Sequence, residues 1–94
     1  MLTAPRVSVT NEMSKTHTVL EISGSDRPRL LYDVTRKIAQ LGLQINSASV
    51  STYGDRAVDV FYVKDIFGMK IATEKMIEKI RTSLLQVLKQ SDKE

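Results

Sequence analysis

The chain has no cysteine, a single histidine, two prolines and four glycines in 94 residues. The absence of cysteine removes disulfides and thiolate metal sites, and fits a cytoplasmic protein. His17 has neither a second histidine nor a thiol to work with, so a zinc site or a Ser-His-Asp arrangement is excluded, and it reads as a strand-surface residue. No apolar run is long enough to span a bilayer, and no charged start leads into an apolar stretch and a cleavage site, so neither a membrane anchor nor a signal peptide is expected. The glycines at 24, 42, 54 and 68 mark turns, and none forms a phosphate-cradling loop. The acidic residues lie on different elements and no spacing pairs them, so acid–base catalysis is not expected.

Hydrophobic residues make up 41%, enough for one modest core and a single domain over residues 5–90. The net charge of +3 is spread among interspersed acids and bases, the pattern of a solvated surface.

The organising stretch is Ile22 to Ile45, ISGSDRPRLLYDVTRKIAQLGLQI. Ser25 or Asp26 can cap a helix, and Pro28 suits its first turn because its missing N–H would be unpaired there. Leu30, Leu31, Val34, Ile38 and Leu41 recur at helical spacing, and Gly42 can end the helix in the left-handed conformation. The front of such a helix, with free N–H groups and the positive end of its dipole, is a seat for an anion. Asp26 beside it either holds a cation or only caps the helix. A ligand with a carboxylate and an ammonium on one carbon would use both groups.

Around this helix, Pro5–Val9 and Thr16–Ser23 alternate as two strands of an antiparallel hairpin, joined by a turn at 10–15. Residues 1–4 read as a disordered start. Leu43–Tyr53 reads as a strand whose apolar phase slips near Asn46-Ser47, which suggests either a bulge or a strand half-buried on both faces. A tight turn at Tyr53–Arg56 leads into Ala57–Lys64, the strongest strand. On that strand Val58, Val60 and Tyr62 share one face and Ala57, Phe61 and Val63 the other, so a partner is expected on the face that the helices leave open. After a connection broken at Gly68, Thr73 can cap a last helix with Met76, Ile77, Ile80, Leu84, Val87 and Leu88 on one face, and the tail from Gln90 is expected to fray. The order ββαββα predicts a ferredoxin-like α+β sandwich, a four-stranded antiparallel sheet with two helices on one face. The N-terminal strand fills the edge beside Thr16–Ser23.

Three runs, SGSDRPRLLYDVT, LGLQINSA and STYGDRAVDVFYVKDIFGMKI, resemble an ACT domain, the small ligand-sensing module of amino-acid metabolism. Within that family they are similar to the ACT domains at the C-terminus of bifunctional PII uridylyltransferase/uridylyl-removing enzymes. The resemblance implies a regulatory role, sensing glutamine for catalytic domains absent from this chain, with PII as the substrate of the parent enzyme. It implies no catalysis and no cofactor in this chain. It also implies a homodimer, or pairing with a neighbouring ACT domain. Ligands of the family sit where the first strand–helix loop of one domain meets its neighbour. That assigns Asp26, Arg27, Pro28, Arg29, Leu30 and Leu31 to the loop side and Gln44, Ile45 and Asn46 to the facing strand. The family loop usually reads DRPG, and here Arg29 stands in place of the glycine. The expectation is weak amino-acid binding, with the Arg29 guanidinium filling the site within reach of Asp26.

An ACT-type assembly domain that binds nothing small is the alternative. A nucleic-acid binder of similar strand–helix order is disfavoured. Its recognition strand alternates glycine and aromatic residues, whereas Arg56–Val63 carries Asp59 in the path of a phosphate.

Overall fold

The computed structural model describes residues 4–91. Six elements follow in order: β1 (Arg6–Thr10), β2 (Thr18–Ser25), α1 (Leu30–Gln40), β3 (Gln44–Tyr53), β4 (Arg56–Lys64) and α2 (Glu74–Ser91). The strands form one antiparallel sheet in the order β1-β2-β4-β3, and both helices pack on one face of it. This is the ferredoxin-like ββαββα sandwich, with β1 closing the edge beside β2 as expected.

Alternation builds the core. Leu20 and Ile22 on β2 and Ala57, Phe61 and Val63 on β4 point to the helices and are buried, with Val7 and Val9 of β1 packed against them. Leu30, Val34 and Ile38 of α1 and Ile80, Leu84 and Leu88 of α2 meet that face. The expected helical stripe overreaches at Leu31, which is 43% exposed; Leu41 is only partly covered. Gly24 lies directly under α2, since a Cβ there would stand 3.6 Å from the Leu88 side chain.

Helix boundaries follow partly different physics from the sequence signals. Thr73 caps α2 as expected, with its Oγ1 accepting from the Met76 amide at 3.2 Å. Neither Ser25 nor Asp26 caps α1: Ser25 is the last residue of β2, and the Asp26 amide donates to the Asp55 carbonyl at 2.8 Å. The cap position of α1 is Arg29, in the left-handed region (φ 70, ψ 1), and no side chain bonds the helix start. Gly42, at φ 82, ends α1 as predicted. The β3–β4 register shifts between Ile45 and Ser47 and skips Asn46, which is the bulge. The predicted start at 1–4 lies outside the described residues except for Ala4. At the other end α2 stays helical through Ser91, so the fraying predicted at Gln90 is not seen there, and residues 92–94 lie outside the described range.

A polar clasp fastens the segment before α2 to the hairpin. Buried Thr18 donates its hydroxyl to Asn11 Oδ1 and accepts from the Ile71 amide at 2.9 Å. Asn11 Nδ2 donates to the Ile71 carbonyl at 2.8 Å, and Lys70 Nζ donates to the Asn11 carbonyl at 2.7 Å.

The face opposite the helices is less apolar than β4 alone suggests. Val58, Val60 and Tyr62 are half-buried there, opposite Ser51, Ser49 and Ser47 of β3 and Ser23, Glu21 and Val19 of β2. The apolar stripe is bordered by serines on the β3 side and by Ser23 and Glu21 on the β2 side, and it widens onto β2 only at Val19. The exposed apolar side chains lie elsewhere: Ile45, Val50 and Tyr53 on β3, and Ile66, Phe67 and Met69 in the loop after β4.

Candidate functional site

The loop Asp26–Arg29 joins the end of β2 to the start of α1. Its shape comes from two arginines and one acid. Arg27 donates from Nη2 to Asp33 Oδ2 at 2.9 Å and from Nη1 to the Pro28 carbonyl at 3.0 Å, which folds the loop back onto the first turn of the helix. Asp33 there also suits the positive end of the helix dipole. The Leu30 amide is already used, donating to the Arg27 carbonyl at 3.2 Å. The anion seat therefore shifts one residue along, to the start of α1 at Leu31 and Tyr32, both exposed.

Arg29 does not reach Asp26. Its guanidinium stands 5.1 Å from the centre of the Tyr32 ring and 3.9 Å from Asp33 Oδ1, with 70% of the side chain exposed. Its consequence is in the backbone: it is the only non-glycine with positive φ among the described residues. A left-handed position explains why glycine suits this point of the loop without any appeal to a ligand.

The nine predicted residues do not converge within one chain. Arg27, Pro28 and Arg29 line an open groove of about 670 Å³ between α1 and the end of α2. Leu30 is in the core, and Asp26 sits beside the β3–β4 turn. Gln44, Ile45 and Asn46 begin β3, whose other end, Tyr53, pairs with Arg56 next to the loop. Nine strand steps put Gln44 roughly 25–30 Å from that end. Gln44 is engaged there, its Nε2 donating to the Asp65 carbonyl at 2.9 Å. The two groups can meet only across a boundary between two domains.

One polar residue was missed by sequence reasoning as a feature of this region. Asp59 lies on the helix side of β4, between Ile22 and Val50, and is 2% exposed. Its Oδ1 has no hydrogen-bond partner. Burial pushes its carboxyl above the usual carboxylate range, and the nearby Asp26 carboxylate adds to the shift. The signal was available in the alternation: Asp59 shares its phase with Ala57, Phe61 and Val63. Among the described residues no group of three or more acidic or histidine side chains is placed to hold a metal ion. No helix among them is long and apolar enough to cross a membrane.

The family model for an ACR9-like, ACT-like domain matches residues 6–92. The chain belongs to the ACT-like domain family. This ACT-like domain is 56% identical over 84 residues to a bifunctional uridylyltransferase/uridylyl-removing enzyme of Azospirillum brasilense, covering 89% of this chain and 9% of that protein. It is 55% identical over 87 residues to the enzyme of the same name from Rhodospirillum rubrum, covering 93% of this chain and 9% of the relative. The domain thus spans about a tenth of the length of these curated relatives. Among solved structures, an unknown protein from Galdieria sulphuraria superposes with a TM-score of 0.59 at 18% identity, covering 74% of this chain and 37% of that one, a likeness of fold alone.

Proposed function

We infer that this ACT-like domain is a glutamine-sensing regulatory module of a cytoplasmic PII uridylyltransferase/uridylyl-removing enzyme, acting on catalytic domains that this chain does not contain. The observation that carries the reading is the uncapped start of α1, beside a loop that continues a 55–56% match to enzymes of that name. A ligand carboxylate fits the free amides at the helix start, and Asp26, exposed and next to the buried Asp59, faces an ammonium. The remaining side of the site comes from a second copy. β3 is an edge strand, and almost every residue of it is exposed. Pairing two β3 strands antiparallel about a two-fold axis brings Gln44–Asn46 of one copy to the loop end of the other.

Calorimetric titration of the chain with glutamine, with glutamate and alanine as controls, tests this. Saturable heat for glutamine alone is expected. A dimer indifferent to every amino acid would instead establish the second reading, an assembly domain without a ligand, which the exposure of β3 also favours.

A further inference from the structure

We propose that the groove between α1 and the C-terminal end of α2 docks an extended acidic polypeptide segment. The groove is lined by Arg27, Arg29, Arg36 and Lys37, with Asp33 as its one acid. Asp33 is one helical turn from both Arg36 and Lys37 but is engaged by Arg27 at 2.9 Å and approached by Arg29, and among the described residues no ion pair joins Arg36 or Lys37 to an acid. The lining sums to +3, equal to the formal net charge of the whole chain, so the other charges cancel and the excess is concentrated here.

The spacing selects the occupant. Arg29 and Arg36 are seven helical residues apart, about 10 Å, and from Arg29 to Gln40 the groove runs about 16 Å along α1. A single phosphate cannot bridge such a span. An extended chain of polyproline II type can, because with three residues per turn its carboxylates at every third position share one side and lie about 9 Å apart. Gln40 and Gln90 add amide groups able to bond a peptide backbone. A nucleotide is disfavoured because only Pro28 and Val87 offer apolar surface and no aromatic ring lines the groove for a base to stack on. Guanidinium forks suit carboxylates in two-point contact. This docking does not depend on the glutamine reading: the groove takes Arg27 and Arg29 from the loop, but Arg36 and Lys37, which the test reverses, lie outside it.

The test uses the 94-residue chain and a hexaglutamate peptide at low salt, followed by amide chemical shifts. Saturable shifts along α1 and the end of α2 are expected. The Arg36→Glu/Lys37→Glu double variant should weaken binding at least tenfold. A control with the same change of charge, Lys75→Glu/Lys79→Glu on the exposed start of α2, should leave it within about twofold of the original. If the reversal disturbs the circular dichroism spectrum, Arg36→Gln/Lys37→Gln replaces it, with a weaker loss in the same direction. Absence of hexaglutamate binding, equal losses in the groove and control variants, or tighter binding of ATP or inorganic phosphate than of hexaglutamate would each overturn the proposal.

Discussion

At Arg29 backbone and side chain pull in opposite directions. A non-glycine residue in the left-handed region costs about 1–2 kcal/mol, while stacking on Tyr32 and a long, exposed approach to Asp33 each return less than about 1 kcal/mol. Arg29→Gly should therefore stabilise the domain by about 0.5–1 kcal/mol, a rise of roughly 2–8 °C in Tm. Arg29→Ala keeps the strain and loses the contacts, so it should lower Tm. Thermal melts of the two variants separate backbone from side chain. Glutamine titration of Arg29→Gly bears on the site: tighter binding places the guanidinium over it, whereas unchanged binding means that the Tyr32 stacking already holds the side chain clear.

Asp59 gives a pH signature. Its folded carboxyl titrates above the ordinary range, so between the unfolded value, about 3.9, and the folded value the native state holds more protons than the unfolded chain. Stability should fall as pH rises through that window and stay reduced above it. Asp59→Asn removes the charge and should add about 1–2 kcal/mol at pH 7.5, with the gain vanishing near pH 4. Urea denaturation of both proteins at the two pH values decides it, and an equal difference at both would mean that the carboxyl is already neutral or has found a partner.

At the scale of elements, periodicity alone placed all six, because each buried face repeats every second residue on a strand or every three to four on a helix. Thr73, Gly42 and the bulge at Asn46 were legible for the same reason: each is a local signal with a local cause. The start of α1 was not. Ser25 and Asp26 carry good capping chemistry, but cross-strand pairing extends β2 through Ser25 and ties the Asp26 amide to Asp55, a contact 29 residues away in sequence. The clasp of Thr18, Asn11 and Ile71 was invisible for the same reason. The distance along β3 between the loop and Gln44–Asn46 was not legible in the sequence, since distance along a strand appears only once register is known.

The edge strand β3 offers the clearest element-level experiment. Unpaired edges invite pairing, and a lysine on the edge is a common block to it. Val50 is 55% exposed, so Val50→Lys removes little from the core, and because Val50 stands opposite the unpartnered Asp59 the new ammonium should leave stability unchanged or raise it. It should weaken self-association at least tenfold, measured by sedimentation equilibrium. Unchanged association would move the dimer contact to β1 or to the exposed loop at Ile66–Met69.

For the whole molecule, a site shared between two copies makes ligand and assembly a single linked equilibrium. If glutamine touches the loop of one copy and Gln44–Asn46 of the other, it binds the dimer and not the monomer. Mass action then requires that diluting the chain below its dimer dissociation constant weakens the apparent glutamine affinity, and that saturating glutamine strengthens the dimer. The two effects must agree in size, because coupling between binding events is reciprocal. A tenfold tightening of the dimer corresponds to about 1.4 kcal/mol of coupling. Sedimentation with and without glutamine gives one side of the balance, and titrations at two chain concentrations give the other. Val50→Lys should lose glutamine binding although the residue lies outside the predicted site. Full affinity in a monomeric Val50→Lys chain would confine the ligand to the start of α1 and remove Gln44, Ile45 and Asn46 from the site.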